Sequence, residues 1–190
     1  MPITHAFTST KSEGSDPTKV RTSDWNADHT LTADYVGNNT AYSSVVSNER
    51  RQWVVPFTTT TAGLLVSVQA HMSSNGTNVG GIAAALFDDN GGTPLLIGAS
   101  GHGQSNVTGF ALSSTYRWAG LPIGIFIPAG DYWLAWMYDR GGSGGIMNLH
   151  YDASGTGYYV DPGGSWINET AMSSPTSTTA TWSIRGLMIY

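Results

Sequence analysis

The stretch that decides the fold is Leu121-Pro-Ile-Gly-Ile-Phe-Ile-Pro-Ala-Gly-Asp-Tyr-Trp-Leu-Ala-Trp-Met-Tyr138. Ile123 to Ile127 is short, apolar and β-branched, which predicts a strand, and Pro128 to Gly130 predicts a tight turn. Asp131 to Tyr138 is rich in aromatic residues and predicts a second strand. We expect the two strands to form a hairpin around which the rest of the chain assembles.

The second strand of this stretch has no polar face. Because side chains alternate along a strand, one face carries Trp133, Ala135 and Met137, and the other carries Tyr132, Leu134, Trp136 and Tyr138. Water would solvate neither face well. We therefore expect the strand to be central in a packed sandwich, or to cover a core on one face and a partner on the other.

The composition is typical of many short strands joined by turns. The chain has 190 residues, the length of one ordinary domain, and only 11% of them are charged, against roughly 25% in an average globular domain. Glycine (24 residues), Thr, Ser and Asn mark the turns. No helix-period segments lie between the strands. These features predict an all-β fold, an antiparallel β-sandwich.

Several classes of protein and site are disfavoured by composition. The chain has no cysteine, which excludes disulfides and thiolate metal sites. A net charge of −5, with Lys11 and Lys19 as its lysines, argues against a nucleic-acid partner. No apolar run is long enough to cross a membrane and the first residues do not resemble a signal peptide, so we expect no membrane partner and synthesis in the cytoplasm.

Three regions are predicted along the chain. Residues 1–34 are rich in charge and their apolar residues are isolated, so we interpret them as an extended N-terminal arm. Within this arm, Phe7 and Trp25 are candidate anchors that insert into pockets on a partner. Residues 35–51 are interpreted as a connector, and residues 52–190 as the sandwich domain.

The N-terminal region carries a resemblance to a known family. It contains Ile3-Thr-His-Ala-Phe7, Lys11-Ser-Glu-Gly14 and Asp16-Pro-Thr-Lys-Val-Arg-Thr-Ser-Asp-Trp-Asn-Ala-Asp-His29. This pattern resembles the N-terminal segment of many tailed-bacteriophage and prophage virion proteins, with Glu13 in place of Asp and Thr22 in place of Pro. The resemblance implies a virion protein, such as a tail fibre, an appendage or a capsid decoration. It also implies attachment to other virion proteins through Phe7, Val20, Trp25, Asn26, Asp28 and His29.

A second, looser resemblance concerns the sandwich. The turn Ala85-Leu-Phe-Asp-Asp-Asn-Gly-Gly-Thr-Pro94 and the later Ile127-Pro-Ala-Gly-Asp-Tyr-Trp-Leu-Ala135 resemble a jelly-roll module of bacterial surface and phage proteins. Such modules share turns more than they share sites. The resemblance therefore implies a jelly-roll-like sandwich and no particular ligand.

The sequence does not support a catalytic or metal site. Gly141-Gly-Ser-Gly-Gly145 matches the G-x-S-x-G pattern of serine hydrolases, but that mechanism needs a helix directly after the serine and none is predicted. The five histidines show no metal-ligand spacing. Loop carboxylates such as Asp88 and Asp89 suit turns, and a structural calcium is the alternative, although no regular run supplies the six or more oxygens that calcium needs. We predict no catalytic residue, no metal and no cofactor.

A group of aromatic and polar residues is a candidate glycan site. Tyr158, Tyr159, Asp161 and Trp166 lie near glycine-rich loops, and aromatic faces beside carboxylates suit sugar rings. The alternative is that the aromatic residues fill the core or an interface. Because the chain is acidic, a neutral host surface glycan is the expected ligand.

Self-association is also expected. Tyr132, Leu134, Trp136 and Tyr138 are candidate interface residues because they oppose an equally apolar set on the same strand. The families resembled commonly form trimers, which implies a homotrimer. Two functions therefore remain open: a non-enzymatic virion structural protein, and a carbohydrate-binding module that recognises a host receptor.

Overall fold

Every regular element that the computed structural model describes is a β-strand, which confirms the predicted all-β fold. The described residues are 2–3, 29–47, 51–74, 81–89, 95–100, 117–138, 147–161 and 175–190. The strands are β1 (Pro2–Ile3), β2 (His29–Thr30), β3 (Ala33–Gly37), β4 (Ser44–Val46), β5 (Gln52–Thr59), β6 (Gly63–Ser74), β7 (Ile82–Asp88), β8 (Leu95–Ser100), β9 (Arg117–Ile127), β10 (Gly130–Tyr138), β11 (Met147–Asp152), β12 (Gly157–Val160), β13 (Thr176–Thr178), β14 (Thr181–Trp182) and β15 (Ile184–Ile189).

Two large antiparallel sheets pack face to face as a sandwich. The six-stranded sheet has the order β13-β12-β5-β10-β7-β8. The seven-stranded sheet runs β14-β11-β6-β15-β3, with β4 paired to β11 and β9 paired to β6. The antiparallel β-sandwich predicted from the alternating and turn-rich sequence is confirmed.

The predicted hairpin is wrong, although its strands are present. β9 pairs with β6, whereas β10 pairs with β5 and β7, so the two strands lie in opposite sheets and the turn at Pro128 connects the layers. Two neighbours already use both hydrogen-bonding edges of β10, and Pro128 has no N–H to donate across a hairpin. The hydroxyl of Tyr132 donates to the carbonyl of Pro128 at 3.0 Å and ties the turn to the strand.

The strand β10 is central, as its two apolar faces predicted. Its inward face lies in the main core, where Trp136 and Leu134 have no exposed surface. Its outward face belongs to a smaller apolar cluster of Val54, Ala83, Ala85, Phe87, Ala135, Met137 and Val160. Trp133 and Tyr158 pack against this smaller cluster.

The residues predicted as a subunit interface lie in the core instead. Tyr132, Leu134, Trp136 and Tyr138 are each at most 4% exposed within the single chain. The indole N–H of Trp136 donates to the sulfur of Met72 at 3.1 Å, and the hydroxyl of Tyr138 donates to the carbonyl of Val46 at 2.8 Å. The prediction failed because it took the apolar face for an outer surface, whereas the second sheet covers that face.

The sandwich begins before the predicted domain boundary at residue 52. β3 pairs with β15, and β4 pairs with β11, so the region interpreted as a connector contributes two strands to the seven-stranded sheet. At the start of β3, the backbone N–H of Tyr190 donates to the carbonyl of Thr32 at 2.9 Å. The sandwich therefore includes Ala33 and joins the start of β3 to the end of β15.

The two ends of the N-terminal segment are paired with each other. β1 and β2 form a separate two-stranded antiparallel sheet in which Ile3 is opposite His29 and Pro2 is opposite Thr30. These positions bracket the segment that resembles phage virion proteins. The pairing brings the first and last residues of that segment side by side, and the residues between them lie outside the described part of the chain.

Candidate functional site

Several of the predicted site residues lie outside the described part of the chain. Of the attachment candidates, His29 is described, in β2 opposite Ile3. Phe7, Val20, Trp25, Asn26 and Asp28 lie outside the described residues, as does the glycan candidate Trp166.

The two tyrosines predicted to form one glycan platform point to opposite faces of β12. Tyr158 contacts Trp133 edge-on at 5.1 Å between ring centroids, on the side of the smaller apolar cluster. Tyr159 contacts Trp53 at 6.1 Å, on the side of the main core. Adjacent residues of a strand alternate in direction, so these tyrosines cannot share one ligand face.

Tyr159 opens into a cleft between the edges of the two sheets, here named the aromatic cleft. Its volume is about 300 Å³. The lining comes from both sheets and from the turn before β14: Val46, Arg51, Trp53, Tyr151, Ala153, Tyr159, Thr178, Thr179, Ala180 and Trp182. The site therefore exists only when the two sheets are packed together.

Four aromatic rings surround this cleft. Trp53 and Trp182 are 1% and 4% exposed, and their rings lie 4.2 Å apart between centroids. Tyr151 is half-buried and lies 5.6 Å from Trp182. The indole N–H of Trp182 donates to the carbonyl of Tyr158 at 2.8 Å, which fixes that ring. The buried tryptophans thus form the inner wall, and the half-buried Tyr151 and Tyr159 stand nearer to solvent.

Arg51 is the charged residue of the lining, and Asp161 neutralises it. Its Nε lies 2.7 Å from one carboxylate oxygen of Asp161 and its Nη2 lies 3.2 Å from the other. The guanidinium also lies 4.1 Å from the ring centroid of Tyr159 and 5.6 Å from that of Trp53. A bidentate pair that also stacks on rings holds the Arg51 head in one orientation.

Sequence reasoning predicted Asp161 and Tyr159 but missed Arg51. Side-chain alternation places Arg51 on the same face as Trp53 of β5, and it places Asp161 on the same face as Tyr159 of β12. β12 pairs with β5 so that Tyr159 is opposite Trp53 and Val160 is opposite Gln52. The next pair in this antiparallel register is Arg51 and Asp161. The ion pair was therefore predictable only once the strand pairing was known.

Trp53 carries a donor that the described residues leave unused. Its indole N–H is buried and makes no hydrogen bond within the described structure. Leaving a buried donor unsatisfied costs about 1–3 kcal/mol, so such a group is expected where a ligand or water supplies an acceptor. Trp53 both lines the aromatic cleft and carries this donor.

A glycine sets the width of the cleft edge. A Cβ added at Gly157 would overlap the backbone carbonyl oxygen of Ala180 and lie 2.8 Å from Nε1 of Trp182. β12 therefore approaches the chain before β14 more closely than any side chain allows. This close approach brings Tyr159 and Trp182 to the same site.

A second polar cluster lies on the outer face of the seven-stranded sheet. His150 is fully buried, its Nδ1 lies 2.8 Å from the carbonyl of Tyr42, and its Nε2 lies 3.0 Å from Oγ of Ser73. Because a carbonyl only accepts, Nδ1 carries the proton and the Ser73 hydroxyl donates to Nε2. A neutral carbonyl orients this histidine, and Ser73 is itself 5% exposed. The arrangement satisfies buried polar groups, and we assign it a structural role.

The same face carries Arg185 between two aromatic rings. Its guanidinium lies 3.8 Å from the ring centroids of both Tyr35 and Trp118. Nε donates to Gln69 at 2.9 Å and Nη1 donates to Asn39. Burial lowers the pKa of Arg185 from its ordinary value. These contacts span β3, β15, β6 and β9, so the cluster connects four strands across the sheet.

A larger cleft is more polar and more open than the aromatic cleft. Its volume is about 720 Å³, and its lining includes Asp34, Tyr35, Tyr190 and residues 58–61, which are all threonine. Asp34 accepts a hydrogen bond from the backbone N–H of Tyr35 at 2.7 Å. It contains no buried donor without a partner among its described lining, so the aromatic cleft is the stronger candidate site.

Within the described ranges, no three His, Asp or Glu side chains come together as a metal site. The part of the chain that the structure describes contains no helix of the length and apolarity needed to cross a membrane. Comparison with protein-family models, with curated proteins and with solved structures finds no match for this chain.

Proposed function

We propose that this chain is a non-enzymatic structural protein of a bacteriophage virion. Its N-terminal segment attaches it to other virion proteins, and its β-sandwich is displayed as a head. The resemblance of residues 3–29 to phage virion proteins carries this proposal. The pairing of Ile3 with His29 supports it, because the two ends of that segment meet at one base outside both large sheets.

The sandwich has the properties that a displayed head needs. It has its own core of buried residues, in which the largest side chains include Trp53, Trp136 and Tyr138. The first strand of the large sheets, β3, begins at Ala33, after the attachment segment ends. Removal of that segment should therefore leave the sandwich folded.

The proposal includes self-association of the head into a trimer. With Tyr132, Leu134, Trp136 and Tyr138 in the core, we assign the contact to Leu64 and Phe126 instead. These two residues are directly opposite each other on β6 and β9, and they are 38% and 69% exposed. An exposed apolar pair of this kind suits a second copy of the chain.

Deletion of residues 1–30 tests the attachment role. This deletion retains Thr32 and its hydrogen bonds with Tyr190. We expect the truncated protein to melt cooperatively but to be missing from purified virions. Trp25→Ala should weaken incorporation without changing the melting temperature. Normal copy number of the truncated protein in virions would show that the segment is not the attachment element.

Carbohydrate recognition by the sandwich is the second candidate function. The aromatic cleft favours it, because half-buried tyrosines beside an Arg–Asp pair supply both flat apolar faces and hydrogen-bonding groups. On a virion, such a site would serve recognition of the host surface. Binding of the full chain to an array of bacterial glycans tests this function, and absence of binding to every glycan would argue against it.

A further inference from the structure

We propose that the aromatic cleft binds a single uncharged sugar residue at the end of a glycan chain. The ring packs against Tyr151 and Tyr159 at the mouth of the cleft, and its hydroxyls hydrogen-bond to Arg51 and Asp161. This inference rests on the second candidate function, carbohydrate recognition, and is independent of virion attachment.

The size and shape of the cleft favour a terminal residue. Its volume of about 300 Å³ is at the lower end of ligand pockets, which span roughly 300–1,000 Å³. Trp53 and Trp182 are almost fully buried, so the cleft is closed on their side. One ring fits this space, and the rest of a glycan must leave through the mouth beside Tyr151 and Tyr159.

The charge of the cleft favours a neutral ligand. Arg51 is the charged residue of the lining, and both of its contacts with Asp161 are within hydrogen-bond distance. A carboxylate or sulfate on the ligand would have to displace Asp161, and it would meet the acidic net charge of the whole chain. A hydroxyl has no such competition, because it can donate to Asp161 and accept from Arg51 at once.

The exposed carboxylate beside the cleft distinguishes a sugar from a purely apolar ligand. The Asp161 carboxylate is 62% exposed and remains accessible to further hydroxyl donors.

Tyr158 and Tyr159 provide a matched pair of variants. They are neighbours on β12, but Tyr159 lines the cleft and Tyr158 contacts Trp133 on the opposite face. Tyr159→Ala removes a wall of the site, and Tyr158→Ala removes a ring of equal size outside it.

The experiment is saturation-transfer NMR on the full chain with the methyl glycosides of glucose, galactose, mannose, rhamnose and N-acetylglucosamine. Glucuronic acid serves as the charged comparison. We expect at least one neutral glycoside to bind and the acid to bind more weakly. Tyr159→Ala should raise Kd by roughly 2- to 12-fold, the range of one aromatic contact, and Tyr158→Ala should leave it unchanged.

Three results would overturn the inference. The first is no transfer to any neutral glycoside, and the second is preferential binding of glucuronic acid. The third is equal weakening by Tyr158→Ala and Tyr159→Ala in variants that melt like the parent protein. Virion incorporation of the Tyr159→Ala protein separates this inference from the attachment role, because incorporation should be normal whether or not the cleft binds sugar.

Discussion

His71 and His150 face each other across β6 and β11, with 4.6 Å between their ring centroids. Burial is the main cause that lowers the pKa of each, and the nearby His150 and Arg185 charges lower that of His71 further. A hydrogen bond with the carbonyl of Tyr42 opposes the shift at both rings. Trp118 covers His71 from β9, at 5.4 Å between ring centroids.

This pair predicts that acid destabilises the sandwich. Because both folded-state pKa values lie below the ordinary value of 6.5, the unfolded chain binds more protons as the pH falls below about 6.5. The stability is thus fully present above that pH and is lost as the pH falls towards the folded-state values. Urea unfolding between pH 7.5 and pH 5 measures the effect.

His71→Gln should reduce this acid sensitivity, because it removes one titrating ring and the repulsion between two imidazolium groups. His5→Gln, in the N-terminal segment, is the control for loss of a histidine. The same pH dependence in both variants would show that the buried pair is not its cause.

Two glycines, Gly157 and Gly124, give a prediction about the free energy of unfolding. Gly157→Ala should destabilise the sandwich by about 3 kcal/mol or more, because the new methyl group overlaps the backbone of Ala180. Gly124→Ala is the matched control: Gly124 has a positive φ of 70°, but a Cβ there meets nothing within 4 Å. Its cost should be about 1–2 kcal/mol, from backbone strain alone. Equal costs by denaturant titration would argue against the close approach at Gly157.

The pairing of Ile3 with His29 can be tested with a disulfide. The chain has no cysteine, so the double substitution Ile3→Cys and His29→Cys introduces a unique pair. Directly opposite residues of an antiparallel pair have Cα atoms roughly 4.5–5.5 Å apart, within the range that a disulfide spans. We expect the bond to form in the purified protein. Failure of the bond to form would contradict the pairing.

The proposed self-association should depend on the exposed pair Leu64 and Phe126. Phe126→Ser should shift the head towards monomer in sedimentation equilibrium at micromolar concentration. Leu31→Ser is the control, because Leu31 is also exposed, at 44%, but lies outside this pair. A monomeric parent protein, or an unchanged oligomer in the Phe126→Ser variant, would remove this pair from the proposal.

Local sequence patterns predicted the structural features that depend on one strand alone. The apolar residues on both faces of β10 predicted its central position, and the low charge and frequent turns predicted a sandwich. The hairpin prediction failed because strand pairing is non-local: β10 forms its ladders with β5 and β7, which precede it by many residues. The early start of the sandwich was missed for the same reason, since β3 is held by β15 at the opposite end of the chain.

The residues of the candidate site were also predictable only in part from the sequence. Residue type alone predicted Tyr159 and Asp161 as site candidates, because rings beside carboxylates suit sugars, and Tyr159 lies in the lining of the aromatic cleft. Side-chain alternation along a strand places Tyr158 and Tyr159 on opposite faces, so the single platform predicted for them is wrong. Arg51 required the β5–β12 register, and Trp182 required the packing of the two sheets, neither of which a single sequence states.

The strand pairing of Ile3 with His29 has a consequence for how proteins with this N-terminal segment can evolve. Because β1 pairs with β2, the two ends of the proposed attachment segment lie at one place, and β3 of the sandwich follows directly in the chain. A recombination event that preserves this junction can exchange the sandwich for an unrelated domain without changing the segment between the two strands. Transplanting residues 1–30 onto a foreign domain should therefore transfer the proposed attachment function as a cassette.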